Sequence, residues 1–154
     1  MNRHMAEIIC SWEYPAPYDF YSFDSSEEAM EELLNGEYFV VLNRENQLTG
    51  YFCYGQSARV AGGYPAGIYL NEERLDIGLG MNPAFTGQGQ GRIFVAEGLQ
   101  FMKERYLHDR FRLVVACFNT RAKKVYIENG FMERSRFYSE VKGKKVEFLW
   151  METV

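Results

Sequence analysis

A glycine-rich segment, Thr86-Gly87-Gln88-Gly89-Gln90-Gly91-Arg92, constrains the fold of this chain more than any other feature of its sequence. It separates a run that is predicted to form a strand from a run that is predicted to form a helix. Glycines at alternate positions let the backbone turn sharply and expose successive N–H groups. Those donors, with the positive end of a helix dipole, make a site suited to phosphate. The alternative is a loop that needs glycine only to turn.

The spacing of the glycines excludes two common phosphate-binding loops. A Walker loop requires Gly-Lys-Ser/Thr after four residues, and no lysine stands at that place. A dinucleotide fingerprint requires G-x-G-x-x-G, but its third glycine position holds Arg92 when counted from Gly87, or Phe94 when counted from Gly89. The segment also follows the fourth predicted strand instead of opening an N-terminal βαβ unit.

The length and composition of the chain predict one domain, residues 1–154, with a core of its own. No apolar run is long enough to span a membrane, and the first residues lack the apolar stretch of a secretory signal. Three scattered cysteines, Cys10, Cys53 and Cys117, exclude a disulfide framework and predict a cytoplasmic location. No Cys or His pair has the spacing of metal ligands, so we expect no metal.

The charge of the chain is distributed unevenly. The formal net charge is −4, which argues against nucleic acid as a partner. Residues 1–50 hold ten acidic and two basic side chains, whereas residues 121–146 hold eight basic and three acidic ones. These are either two solvated faces or the two ends of a bipolar molecule, one for a cationic ligand and one for an anionic ligand. The aromatic run from Trp12 to Tyr21 either holds a cation or packs on the core.

Apolar periodicity and turn signals predict the order β-α-β-β-β-α-β-α-β-β. This order indicates an α/β (α+β) fold with a mixed, mostly antiparallel sheet of about six to seven strands flanked by helices. A capping box at Ser25 opens the first helix, which ends at Asn35-Gly36. The predicted strands are Ile8–Tyr14, Tyr38–Asn43, Leu48–Gln56, Arg74–Met81, Arg112–Phe118, Phe131–Ser139 and Lys145–Glu152, and the other helices are Gly91–Leu107 and Arg121–Asn129. Glycines within a strand, Gly78 and Gly80, indicate a bulge or a close approach to the backbone.

Two sequence motifs in this order identify a protein family far more specifically together than either motif does alone. Gly89 and Gly91 match the small positions of the pattern Gln/Arg-x-x-Gly-x-Gly/Ala, although Thr86 stands where Gln or Arg is usual. Downstream, the stretch from Asn119 to Phe131 matches the pattern N-x-R-A-x-x-x-Y-x-x-x-G-F. With these two motifs the chain resembles the GCN5-related N-acetyltransferase (GNAT) family, most strongly over residues 74–131. The resemblance implies a single-domain GNAT-like fold and transfer of an acetyl group from acetyl-CoA to an amine.

The resemblance also implies roles for particular residues. Tyr126 would protonate the departing CoA thiolate, and Asp76 would act as general base through water. The alternatives are that Tyr126 is a core residue, that Asp76 faces solvent and that Asn119 is only a helix N-cap. The basic run Arg121, Lys123 and Lys124 is interpreted as a solvated helix face, and the alternative is that it approaches the 3′-phosphate of CoA. The residues implied to bind acetyl-CoA are Leu79, Gly80, Met81, Thr86, Gly87, Gln88, Gly89, Gln90, Gly91, Arg92, Asn119 and Tyr126.

The resemblance implies an amine acceptor but does not identify it. A polyamine, an amino sugar, a free amino acid and a protein N-terminus all remain candidates, as a small-molecule or peptide acceptor. We expect no membrane and no nucleic acid among the partners, and a homodimer is the one protein assembly considered. The alternative function is a catalytically weak acyl-CoA-binding sensor or interaction module with the same fold, and a weaker one is a phosphate-binding module unrelated to CoA.

Overall fold

The computed structural model describes residues 1–154, and these residues fold around one mixed β-sheet. Its six strands lie in the order β1-β2-β3-β4-β6-β5. All neighbouring strands are antiparallel except β3 and β4, which are parallel. The strands are β1 (Tyr38–Leu42), β2 (Leu48–Tyr54), β3 (Leu75–Met81), β4 (Phe111–Ala116), β5 (Phe131–Val141) and β6 (Lys144–Thr153). The predicted fold class is confirmed.

Four helices cover the two faces of the sheet. They are α1 (Arg3–Cys10), α2 (Glu27–Leu33), α3 (Gly91–Tyr106) and α4 (Thr120–Glu128). Helices α3 and α4 pack on one face, where Val95 and Met102 join the largest apolar cluster. Helices α1 and α2 pack on the other face against β1 and β2, in a second cluster. This arrangement leaves the first turn of α3 and the start of α4 beside the middle of the sheet.

The prediction of an N-terminal strand over Ile8–Tyr14 is wrong. The chain instead forms α1, whose N-cap Asn2 accepts a hydrogen bond from the Met5 N–H at 2.8 Å. Ala6, Ile9 and Cys10 are buried at the spacing of one helix face. The apolar run after Ile8 was too short to reveal this period.

The other predicted helices and strands are confirmed, with ends displaced by at most two residues. The first predicted helix, α2, is capped by Ser26 rather than by Ser25. Ser26 Oγ accepts a hydrogen bond from the Ala29 N–H at 3.2 Å. Both serines precede the same acidic turn, so the sequence signal located the helix start to within one residue.

The sheet opens between β3 and β4. These strands pair only at Leu75 with Phe111 and at Asp76 with Arg112. Beyond that point residues 77–81 pair only with β2, and residues 113–116 pair only with β6. The strands therefore diverge, and β3 has an unpaired edge inside the molecule instead of at the border of the sheet.

Gly78 and Gly80 are required by side chains that approach from β2. A Cβ atom on Gly80 would lie 2.5 Å from the Tyr51 ring, and a Cβ atom on Gly78 would lie 2.8 Å from Cys53 Sγ. The structure thus favours the close-approach interpretation of these glycines, because β3 pairs with β2 in unbroken register from residue 77 to residue 81.

No helix is both long and apolar enough to cross a lipid bilayer. No three His, Cys, Asp or Glu side chains come together in a way that could hold a metal ion.

Candidate active site

A cavity of about 510 Å³ occupies the opening between β3 and β4. Backbone and side chains of residues 77–81 form one wall, and residues 113–115 form the other. The glycine-rich segment and Tyr126 close it on the α3/α4 side, while tyrosines from the N-terminal segment and β2 close it on the opposite side. A volume of this size is within the usual range of about 300–1,000 Å³ for small-molecule sites.

The glycine-rich segment presents a row of free backbone donors to this cavity. Gly87 and Gly89 both have a φ of +73°, a left-handed conformation that other residues rarely adopt. No N–H group of residues 87–93 has a backbone acceptor, and the first hydrogen bond of α3 runs from the Phe94 N–H to the Gln90 carbonyl. No side chain caps the helix either. Free N–H groups at a helix N-terminus are suited to an anion such as pyrophosphate, and Gly87, Gly89, Gly91 and Arg92 of this segment line the cavity.

The side chains of Thr86 and Gln88 hold the segment in shape. Thr86 Oγ1 donates a hydrogen bond to the Pro83 carbonyl at 2.9 Å, and Gln88 Nε2 donates to the Ala84 carbonyl at 3.0 Å. Thr86 lines the cavity, whereas Gln88 and Gln90 are exposed and do not line it. Of the residues implied to bind the cofactor, Gln88 and Gln90 are therefore the two in this segment that lie outside the cavity.

Three cationic side chains stand beside the donor row: Arg92, Arg121 and Lys124 all line the cavity. The Arg121 guanidinium lies 3.8 Å from the place of a Cβ atom on Gly87 and 5.0 Å from the Tyr18 ring centroid. Arg121 and Lys124 are exposed, as a solvated helix face requires, and both also border the cavity, as approach to a CoA phosphate requires. Their position beside the glycine-rich segment depends on how α4 packs against that loop, which no local sequence pattern contains.

The unpaired edge of β3 offers backbone groups to a ligand. The Asn82 N–H donates to the Thr49 carbonyl at 2.8 Å. Because the direction of hydrogen bonding alternates along a strand, the residues two and four positions before Asn82 also direct their N–H and C=O groups toward β2. Leu79 and Met81 therefore direct their N–H and C=O groups into the opening. One of these groups is used within the protein, because the Tyr14 hydroxyl donates to the Met81 carbonyl at 2.6 Å.

Tyr126 projects from α4 into the cavity. Its side chain is 8% exposed, and its ring packs edge-on against Phe131 with centroids 5.9 Å apart. Burial, and then the neighbouring Tyr21 phenol, raise the pKa of Tyr126 above its usual value, and no hydrogen bond in the protein counters this. The hydroxyl therefore stays protonated at neutral pH and is free to donate. It is both a core residue and a cavity residue.

Asn119 is the N-cap of α4. Its Oδ1 accepts a hydrogen bond from the Ala122 N–H at 3.1 Å, and its Nδ2 donates to the Tyr21 hydroxyl at 3.3 Å. The helix-cap interpretation thus describes what this side chain does within the protein. Asn119 also lines the cavity, and one hydrogen of its amide remains for a ligand.

Asp76 does not lie in the cavity, and its surroundings do not support the role of general base. The side chain is 3% exposed, which also contradicts the solvent-facing alternative. Arg112 donates to both of its oxygens, at 2.5 and 3.0 Å, and Arg59 Nε donates to Oδ2 at 2.7 Å. A base needs an oxygen directed at substrate or at a bound water, and both oxygens here face guanidinium groups. The sequence carried no sign of these partners.

The comparisons with known proteins agree with this geometry. The model of the acetyltransferase (GNAT) family matches residues 5–131. A spermidine N-acetyltransferase from Vibrio cholerae, solved with CoA and spermine, superposes with a TM-score of 0.73 at 18% identity, covering 99% of this chain and 90% of that chain. A putative phosphinothricin N-acetyltransferase gives 0.72 at 15%, covering 99% and 94%. A GNAT-family acetyltransferase from Bacillus anthracis gives 0.65 at 16%, covering 86% and 76%. No curated protein matches significantly.

Proposed function

Because this chain belongs to the acetyltransferase (GNAT) family, we propose that it transfers the acetyl group of acetyl-CoA to a primary amine by direct attack of the amine on the thioester. Membership of the family makes the protein an acetyl-CoA-dependent acyltransferase. The observation that carries the proposal is the row of free backbone N–H groups at residues 87–93, beside a cavity that opens the sheet.

We assign the pyrophosphate, the pantetheine arm and the thioester of acetyl-CoA to separate parts of the cavity. The pyrophosphate lies on the N–H groups of Gly87–Arg92, and Arg121 and Lys124 balance its charge. The pantetheine arm, which carries amides, runs along the open edge of β3 and bonds to Leu79 and Met81 as a neighbouring strand would. We expect this path to bring the thioester close to Tyr126, which also lines the cavity.

Acetyl transfer then requires one bond to form and one to break. The neutral amine attacks the thioester carbon, the C–N bond forms, and the C–S bond breaks with release of the CoA thiolate. Tyr126 donates its phenol proton to that thiolate and is reprotonated through solvent by the proton that the amine gives up. Since no carboxylate lines the acceptor side of the cavity, the incoming ammonium loses its first proton to water.

Two observations bear on the acceptor and on the location of the protein. The Vibrio cholerae relative was solved with spermine as well as CoA, which supports an amine as acceptor. All three cysteines are free thiols, which is typical of proteins kept in a reducing compartment, and this supports a cytoplasmic location.

The test combines ligand binding with turnover. Acetyl-CoA at about a hundred times its Kd should add about 2.7 kcal/mol to the free energy of unfolding, and ADP at the same concentration should add much less. Release of CoA is then followed with a panel of amines. Equal stabilisation by ADP would contradict the CoA site. Binding of acetyl-CoA without CoA release for any amine would instead favour the acyl-CoA sensor.

A further inference from the structure

We infer that the acceptor is an amine with one positive charge on an aromatic or other apolar body, and that Tyr14 binds its nitrogen. This inference rests on the proposed acetyl transfer and names the class of amine that the same cavity takes. It is carried by three features of the wall opposite α3 and α4: the residues that form the wall, the charges missing from it, and the hydrogen bond that Tyr14 makes.

The wall is built of phenol rings that are fixed by packing. Tyr14 and Tyr21 reach the cavity from the N-terminal segment, and Tyr51 reaches it from β2. The Tyr51 ring stacks on Trp12, with centroids 6.2 Å apart, and covers the place of a side chain on Gly80. Fixed rings of this kind bind apolar groups by contact and bind one cation through their faces.

The wall contains no carboxylate. Glu128 is the one acidic residue that lines the cavity, and it lies on α4 between Val125, which contacts Gly91, and Asn129, which bonds to the Arg92 carbonyl. It therefore belongs to the phosphate end. None of the ten acidic residues within positions 1–50 lines the cavity.

Two of the acidic residues within positions 1–50 are partly buried, and both already accept hydrogen bonds outside the cavity. Glu32 accepts from the Tyr38 hydroxyl at 2.9 Å, and Glu37 accepts from the Ser57 N–H at 2.8 Å. A polyamine would thus bring two or more ammonium groups into a cavity without a counter-ion, and burial of an unpaired charge is strongly unfavourable. A single amine that attacks in its neutral form avoids this cost.

Tyr14 presents a hydrogen-bond acceptor at the end of β3. Its hydroxyl proton is committed to the Met81 carbonyl at 2.6 Å, so the remaining capacity of its oxygen is to accept. Burial raises the pKa of Tyr14 to about 12, which keeps that proton in place at neutral pH. An amine nitrogen that donates to Tyr14 Oη would lie at the open edge of β3, in the wall of the cavity that faces α4.

The first experiment compares amines that differ by one charge. We would measure kcat/KM for butylamine against 1,4-diaminobutane, and for 2-phenylethylamine against spermidine, at one pH and one acetyl-CoA concentration. The inference expects each monoamine to exceed its polycationic partner at least tenfold. Equal or better rates with the diamine and spermidine would overturn the inference and leave acetyl transfer standing. No CoA release with any of the four amines would also overturn the inference. Failure of the whole amine panel would in addition contradict the transfer itself.

The second experiment removes the acceptor oxygen of Tyr14. Tyr14→Phe should raise KM for the better monoamine at least tenfold, with kcat reduced less and the Kd of acetyl-CoA unchanged. The matched control is Tyr69→Phe, since Tyr69 also bonds to the main chain, accepting from the Val60 N–H at 2.9 Å, and also has a pKa of about 12, but lies outside the cavity. Equal KM values for the two variants would overturn the role of Tyr14.

Discussion

Arg112 donates from Nε and Nη2 to the two carboxylate oxygens of Asp76, and neither side chain is more than 3% exposed. The two residues form the last paired position before β3 and β4 diverge. Arg112 Nη1 also donates to the carbonyls of Ile68 and Asn71, at 2.5 and 3.0 Å. This ion pair therefore fixes both the point where the sheet opens and the loop that covers the sheet there.

Loss of one partner of this pair should unfold the protein more easily, without changing the pH dependence of the reaction. Asp76→Asn leaves a buried guanidinium without its counter-charge and should lower the free energy of unfolding by about 3–5 kcal/mol. Urea denaturation measures this change. The control is Glu73→Gln, which removes an exposed ion pair to Arg110 and should change stability by less than about 1 kcal/mol. A stable Asp76→Asn variant with a displaced pH profile would restore the general-base role.

A side chain at Gly89 should weaken acetyl-CoA binding more than it weakens the fold. Gly89→Val forces a β-branched residue into a left-handed conformation and adds atoms among the N–H donors, so the Kd should rise more than tenfold, or about 1.4 kcal/mol. Gly143→Val is the matched control, because Gly143 has a φ of +77°, is equally open and lies in the β5–β6 turn. Both variants should lose similar stability. An equal effect on the Kd would show that backbone strain alone is responsible.

Removal of the Tyr126 hydroxyl should slow the chemical step. Tyr126→Phe keeps the ring that packs on Phe131 and removes only the proton donor, so kcat should fall by about 10²-fold or more, with acetyl-CoA affinity unchanged. Tyr38→Phe is the control for a hydroxyl removed at similar burial. Tyr38 donates to Glu32 outside the cavity, so that variant should lose about 1–3 kcal/mol of stability and keep its kcat. An unchanged kcat in Tyr126→Phe, with a lower melting temperature, would leave Tyr126 as a core residue only.

The direction of the Tyr126 pKa shift sets the alkaline side of the pH profile. Only the neutral phenol can donate a proton, and a raised pKa keeps the phenol neutral above its usual value of about 10. We therefore expect kcat to rise with pH as the amine loses its proton, and to show no fall up to about pH 10. Steady-state rates at saturating acetyl-CoA measure this. A descending limb below that pH, absent from Tyr126→Phe, would mean that the Tyr126 pKa is lowered instead.

The fold could be predicted from local sequence wherever an element was long or clearly bounded. Helix α3 has apolar residues at helical spacing over four turns, and β4 is recognisable from the apolar run that follows Arg112. The N-terminal helix could not be predicted in this way, because Ile8, Ile9 and Cys10 are equally consistent with a strand. The burial of Ala6 and the cap at Asn2, which only the structure shows, distinguish the helix from a strand.

The candidate site could be predicted where its function depends on the backbone. Alternate glycines before a helix indicate a sharp turn, and Gly87 and Gly89 do adopt the left-handed conformation, so the candidate phosphate loop could be predicted from the sequence. The opening of the sheet was not, because nothing local says that β3 and β4 share only two residue pairs. The role of Asp76 depends on Arg59 and Arg112, which are 17 and 36 positions away, and the position of Arg121 depends on the loop at Gly87. No local pattern contains these partners.

The divergence of β3 and β4 has a consequence for how the unliganded and liganded enzyme exchange amide hydrogens. Strands β1–β3 and strands β4–β6 share one short seam, so each half of the sheet can fluctuate about it with little loss of main-chain bonding. The amides of Leu79 and Met81 should then exchange with deuterium as readily as those of an outer strand, although they lie at the centre of the molecule. Bound acetyl-CoA would act as a seventh strand and slow both amides together, joining the two halves into one cooperative unit.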